Sequence, residues 1–188
     1  MRFALIRRTT KDILAESFLE LAMKKSIDKI RISEITDNCG MSPPTFYNHF
    51  KDKYDMIVWI HTHRVNDVMS RIDRNGYEWR DTLLDGAIYY YENRHYIVNA
   101  LKHTSGQDSF VEYVRRYNTE LLTMEVRKKL MTEHIPDELL GMIKIYVFGT
   151  VQFMLDWLLN NEELSPEKVA GIWEASFPEP LKQYLYNG

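Results

Sequence analysis

A chain of 188 residues with 45% apolar residues can bury one large core or two small ones, and it is too apolar for disorder. Six prolines and eight glycines, without evenly spaced turn clusters, argue against a sandwich or barrel of short strands, and the lone Cys39 excludes an internal disulfide and a thiolate zinc site, as a reducing cytoplasm would suit. The net charge of -3 is uneven: residues 1–60 carry ten Lys or Arg against eight Asp or Glu, while the remainder nets -5, so only the front third is basic.

The opening MRFALIRR holds too short an apolar stretch for an export signal. Thr9 with Asp12 fits a capping box, and Ile13, Leu14, Phe18, Leu21 and Ala22 recur at helical spacing, which predicts a first helix to about Lys25. Ile32 and Ile35 mark a short second helix ending at Gly40. A third, over Ser42 to Phe50, has Ser42 as cap, Pro43 in the first helical position, and Phe46 and Phe50 turned to the core. Asp52 and Asp55 cap a fourth, carried by Met56, Ile57, Trp59, Ile60, Val68 and Ile72 to about Asp73. Further helices are expected over Trp79–Glu92, Arg94–Lys102, Asp108–Met131, Pro136–Asn160 and Pro166–Tyr186. The most apolar stretch, Ile145 to Leu159, is broken by Gln152 and Asp156 and is too short to span a bilayer, so no membrane is expected. The reading is all-α, with residues 1–52 as one domain and 53–188 as a second.

Two short helices joined at a glycine and preceded by a longer one have the layout of a helix-turn-helix, with Ser42 to Phe50 as the recognition helix. The segment RISEITDNCGMSPPTFYNHFKDKYDMI, residues 31–57, resembles the signature of the TetR family of transcriptional regulators, with Ile35, Gly40, Thr45, Phe46, Tyr47, His49, Phe50, Lys53 and Met56 at signature positions. The resemblance covers roughly residues 8–60. It implies a sequence-specific regulator in which Ser42, Pro43, Pro44 and Thr45 meet base edges while Tyr47, His49 and Lys53 hold phosphates. Hydroxyl, imidazole and ammonium groups suit phosphate oxygens, and methyl or ring carbons suit thymine methyls. Arg7 and Arg8 can add backbone or minor-groove contacts. Arg31 stands where the family places a Ser or Thr cap, so helix two can start at Ser33 or gain a phosphate-seeking guanidinium instead, and Ser33 joins the expected contact set. The Pro43-Pro44 pair removes two amides from the reading helix's first turn and leaves a rigid apolar head.

The same resemblance implies a homodimer on palindromic operator DNA, with the last two long helices forming the interface. Phe148, Val151 and Leu155, with Ile172, Trp173 and Phe177, supply apolar spacing for it, and some of them are expected to serve the intramolecular core instead. Aromatic and imidazole groups crowd the middle. Tyr89, His95, His103, Phe110, Tyr113 and Tyr117 are the expected effector-binding set, and the run Tyr89-Tyr90-Tyr91 cannot share one helix face, so some hydroxyls must find partners inside. The GQDSF segment, Gly106 to Phe110, resembles the branch containing dihydroxyacetone kinase operon regulators, and that resemblance allows a partner protein rather than a small molecule as the signal, and activation rather than repression.

Repression is expected over activation. The first rival is a helical interaction module that ignores DNA. The second is an enzyme built on His61, His63 and Asp67. Residues two apart on a helix point ~200° away from each other, so these histidines cannot chelate one metal. No phosphate loop, nucleophile elbow or dinucleotide glycine pattern is present. No enzyme, cofactor or metal is expected.

Overall fold

The computed structural model describes residues 8–72, 74–104, 109–131, 134–160 and 163–186, and every regular element among them is helical. Helix α1 (Thr10–Ala22) starts at a reciprocal cap. The Asp12 amide donates to the Thr9 hydroxyl at 3.2 Å, and the Thr9 amide donates to the Asp12 carboxylate at 2.7 Å. Leu14, Phe18 and Ala22, four apart, are fully buried. The helix stops short of Lys25, because Lys24, Lys25 and Ser26 extend no apolar stripe. A 3-10 turn over Ile27–Lys29, with no counterpart in the periodicity, then carries Ile27 and Ile30 into the core.

Helix α2 (Ile32–Asn38) begins at Ile32 with Arg31 as its N-cap rather than slipping to Ser33. Glu34 makes that possible, since its carboxylate accepts from the Arg31 amide at 2.9 Å and pairs with Lys25 at 2.5 Å. Gly40, at φ +68°, supplies the left-handed turn into α3 (Pro43–Tyr47). Asp52 accepts from the amides of Tyr54 and Asp55 at 2.8 and 2.9 Å and so caps α4 (Lys53–Met69), which ends before the expected Asp73, a residue outside those described.

The chain forms two compact units, one reaching His61 and one starting at Thr62. The division falls inside α4 and not between residues 52 and 53, because Met56 and Ile57, 0% and 1% exposed, belong to the first unit's core.

The second unit holds the later turns of α4 with α5 (Trp79–Glu92), α6 (Arg94–His103), α7 (Phe110–Leu130), α8 (Asp137–Leu159), α9 (Pro166–Ala175) and α10 (Glu179–Leu185). Helix α5 packs on α9, and α7 packs on α8 and α10, around Tyr96, Val114, Val126, Ile143, Trp157, Val169 and Leu181. The expected Asp108 start of α7 lies outside the described residues. The Ser109 hydroxyl caps it instead, accepting from the Glu112 amide at 3.3 Å. The single helix expected over Pro166–Tyr186 is two. Pro178 has no amide and pushes Phe177 out of helical backbone, so the chain turns at Ser176–Pro178 and restarts.

Candidate DNA-reading surface and effector seam

In the five-residue α3, Phe46 is the anchor. It is fully buried, its ring lies 5.6 Å from Phe50, and Phe50 in turn lies 5.7 Å from Trp59. The residues around that anchor face water. Ser42, Pro43, Pro44 and Asn48 are exposed, Tyr47 is 60% exposed, and Thr45 and His49 are half-buried. Ser42 Oγ lies 2.9 Å from Thr45 Oγ1 and accepts from the Thr45 amide at 3.4 Å, holding the first turn. Ser33 on α2 is exposed as well. Polar bonds tie α2 to α1. The buried Ser17 hydroxyl donates to the Ile35 carbonyl at 2.6 Å, and Asn38 donates to Ser17 and Glu20, each at 3.0 Å. Seven of the ten expected contact residues therefore belong to α2, α3 and the turns flanking α3.

The other three differ. Arg8 is exposed and paired with Glu16 at 2.9 Å, and Arg7 lies outside the described residues. Lys53 is half-buried, and its ammonium donates to the carbonyls of Ile27, Asp28 and Ile30 at 2.7, 2.8 and 3.1 Å. Burial pulls its pKa below the usual lysine value, against the favourable field of Asp28 and Asp52. The expected phosphate-holding ammonium is thus turned towards main-chain carbonyls in the DNA-free chain. Lys51, exposed and two residues earlier, was not singled out from the sequence.

In the second unit the tyrosines of α7 face α4. Tyr113 OH lies 2.5 Å from Thr62 Oγ1, and Tyr117 OH donates to Asn66 Oδ1 at 2.7 Å. Both pairs are four residues apart on each helix, so the bonds form a seam one turn long per step, with the Tyr113 and Tyr117 rings stacked at 5.8 Å. Burial raises the pKa of Tyr117. The Arg64 guanidinium lies 5.3 Å over the Tyr89 ring, and burial pushes the Tyr89 hydroxyl up to about 12. Phe110 is buried at the start of α7, and His103 is half-buried. His95 is exposed on α6. Thr62 and Asn66 went unnoticed in the sequence. Their four-residue spacing, which puts both polar tips on one face of α4, is the signal that could have found them. Among the described residues no three His, Cys, Asp or Glu side chains stand together as metal ligands.

The expected dimer face divides in two. Val151, Leu155, Trp173 and Phe177 are 3 to 8% exposed in the single chain, so they serve its own core. Tyr146 OH donates to the Trp173 carbonyl at 3.1 Å, and the Phe177 ring lies 4.8 Å from Tyr146, fixing that inner face. Phe148 and Ile172 are exposed, as are Ile145 at 77% and Leu159 at 44%. Gly141, Gly149 and Gly171 leave open space where a Cβ would stand. By length and composition α8 is apolar enough to cross a membrane, yet only a third of its apolar window is buried within the chain.

The sequence pattern of bacterial regulatory proteins of the tetR family matches residues 15–58, and that of a transcriptional regulator C-terminal region matches residues 77–177. The HTH-type dhaKLM operon transcriptional activator DhaS of Lactococcus lactis is 30% identical over 87 residues, which is 45% of each chain, so the match spans less than half of that relative. Among solved structures, the dihydroxyacetone kinase operon activator DhaS superposes with a TM-score of 0.67 at 20% identity, covering 94% of this chain and 98% of that one. A TetR regulator from Rhodococcus sp. RHA1 gives 0.58 at 15% identity over 93% and 97%. NalD of Pseudomonas aeruginosa, the secondary repressor of a multidrug efflux pump, gives 0.53 at 16% over 94% and 96%.

Proposed function

The chain belongs to the TetR family of DNA-binding transcriptional regulators, and from that premise we propose that it works in the cytoplasm as a homodimer whose two α3 helices read successive major grooves of a palindromic operator. The observation that carries this reading is the exposed rim of α3: Ser42, Pro43, Pro44, Tyr47 and Asn48 face water around a single buried anchor, Phe46. Ser42, Pro43, Pro44 and Thr45 supply base contacts. Tyr47 and His49 hold phosphates with Lys51, while Ser33 and Arg8 add flanking contacts.

The dimer forms through the outer stripe of α8 and α9, around Ile145, Phe148 and Ile172. Exposed apolar groups of that size, beside glycines that let another backbone approach, need a cover, and an identical stripe is self-complementary across a twofold axis. An effector, either a small molecule or a partner protein, acts at the α4–α7 seam with Tyr89, Phe110, Tyr113 and Tyr117. It changes operator affinity only by favouring one arrangement of α4 over another. A preference of ~1 to 3 kcal/mol changes affinity by up to roughly a hundredfold.

Selection from a random duplex pool tests the reading. Recovery of a palindrome whose affinity falls steeply with salt is expected, and Tyr47→Phe should weaken that binding several-fold without changing dimerisation. Failure to retain any duplex would favour a protein-interaction module. A reporter carrying the recovered site gives the sign of regulation.

A further inference from the structure

Building on the DNA-binding reading above, we propose that Lys53 is a positioning residue of the reading head, a clasp that closes the helix-turn-helix at its base, and not a phosphate contact. An ammonium has three N–H donors and no acceptor, and three carbonyl oxygens converge on this one, from Ile27, Asp28 and Ile30, at 2.7, 2.8 and 3.1 Å. The inventory of donors is complete.

The position of those carbonyls gives the bond its meaning. Ile27 to Ile30 is the segment by which the chain enters α2, and Lys53 is the first residue of the helix by which it leaves α3. The clasp closes a ring of 23 to 26 residues that contains all of α2 and α3. Both ends of the ring are anchored, by Ile27 and Ile30 on one side and by Met56 and Ile57 on the other, all at most 2% exposed. A helix of five residues has too little length to set its own direction. Its aim comes from the Phe46 anchor and from the fixed distance between the two ends of the ring.

Reaching for phosphate would strip three carbonyls of their charged donor, and charge-assisted bonds are the strong ones. Lys51, two residues earlier, is open to water. An arginine at 53 would keep the charge but not the function, since a planar guanidinium cannot direct its donors at three converging carbonyls as an ammonium does.

The test uses the full-length chain and its selected operator. In wild-type protein labelled with 15N-lysine, the Lys53 ammonium should give a slowly exchanging signal without DNA that stays in place when operator is added. A Lys53 signal that emerges only with DNA, or that shows coupling to phosphorus, would overturn the clasp. Lys53→Met and Lys53→Arg should both weaken operator binding at least tenfold, about what losing one such group costs, with the wild-type dependence of log affinity on log salt. Lys51→Ala should lower that slope by about 2 per dimer. Wild-type slope and affinity restored by Lys53→Arg, or a slope lowered by Lys53→Met, would overturn the proposal. Should the methionine variant unfold, the wild-type ammonium signal still decides. Should wild-type protein hold no DNA, the binding reading fails, and the DNA-free ammonium signal judges the clasp alone.

Discussion

The two units use their polar side chains differently. In the first, Ser17, Ser42, Glu34 and Lys53 bond to backbone groups, and these bonds bracket its three short elements. In the second, side chains also reach backbone groups, as in Tyr146 to Trp173, Trp157 to Leu164 and Thr104 with Phe110, whereas the α4–α7 seam joins side chain to side chain, Thr62 with Tyr113 and Asn66 with Tyr117. A bond to a backbone carbonyl fixes where the chain goes. A bond between two hydroxyl or amide tips can be exchanged for water or a ligand with the helices still in place. The division suits a rigid reader and an adjustable sensor.

The largest expected effect breaks one unit and spares the other. Phe46→Ala should cost the first unit about 3–5 kcal/mol, abolishing operator binding, while circular dichroism melting still shows the second unit's transition and sedimentation still shows a dimer. Loss of both units in one step would mean that the division inside α4 is not energetic. Next in size is the outer stripe of α8. Phe148→Asp should cost roughly 2–4 kcal/mol of association and give monomers by analytical ultracentrifugation, whereas Val151→Ala should lower the melting temperature and leave the chain dimeric.

The contrast in bonding has its own test. Ser17→Ala, which removes a buried donor to the Ile35 carbonyl, should destabilise the first unit by ~1–2 kcal/mol, and Tyr113→Phe should cost under ~1 kcal/mol because Thr62 has water as an alternative. Equal losses in urea denaturation would erase the distinction. The smallest effect concerns pH. Lys25, with the Arg31 amide, holds the Glu34 carboxyl down at about 2 from an ordinary 4.5. A depressed carboxyl stabilises the fold above its unfolded value and loses that contribution as pH falls through its folded value. The melting-temperature gap between wild type and Glu34→Gln should therefore be full above pH 4.5 and shrink towards zero near pH 2. A gap that widens on acidification would reverse the assigned sign.

What could be read from the sequence was local. Thr9 with Asp12, Gly40 at its left-handed turn and Ser42 before Pro43 are short-range signals, and each stands where the pattern puts it. The role of Lys53 could not be read, since its partners are main-chain oxygens more than twenty residues away and no side-chain identity announces them. Helix α8 is apolar on two faces. Spacing finds both stripes, but only packing against α7 and the bond to α9 decide that Val151 and Leu155 are inside and Phe148 is outside. The break before α10 was visible in Pro178-Glu179-Pro180, but the spacing of Ile172, Trp173 and Phe177 carried the expected helix through it.

Methylation interference on the selected operator probes the paired reading helices most directly, because methyl groups at guanine N7 stand in the major groove. Two blocks of interference about 10 base pairs apart on one face of the duplex, both lost with Phe148→Asp, are the predicted result. A single block, or binding indifferent to major-groove methylation, would contradict a dimer that reads DNA with α3.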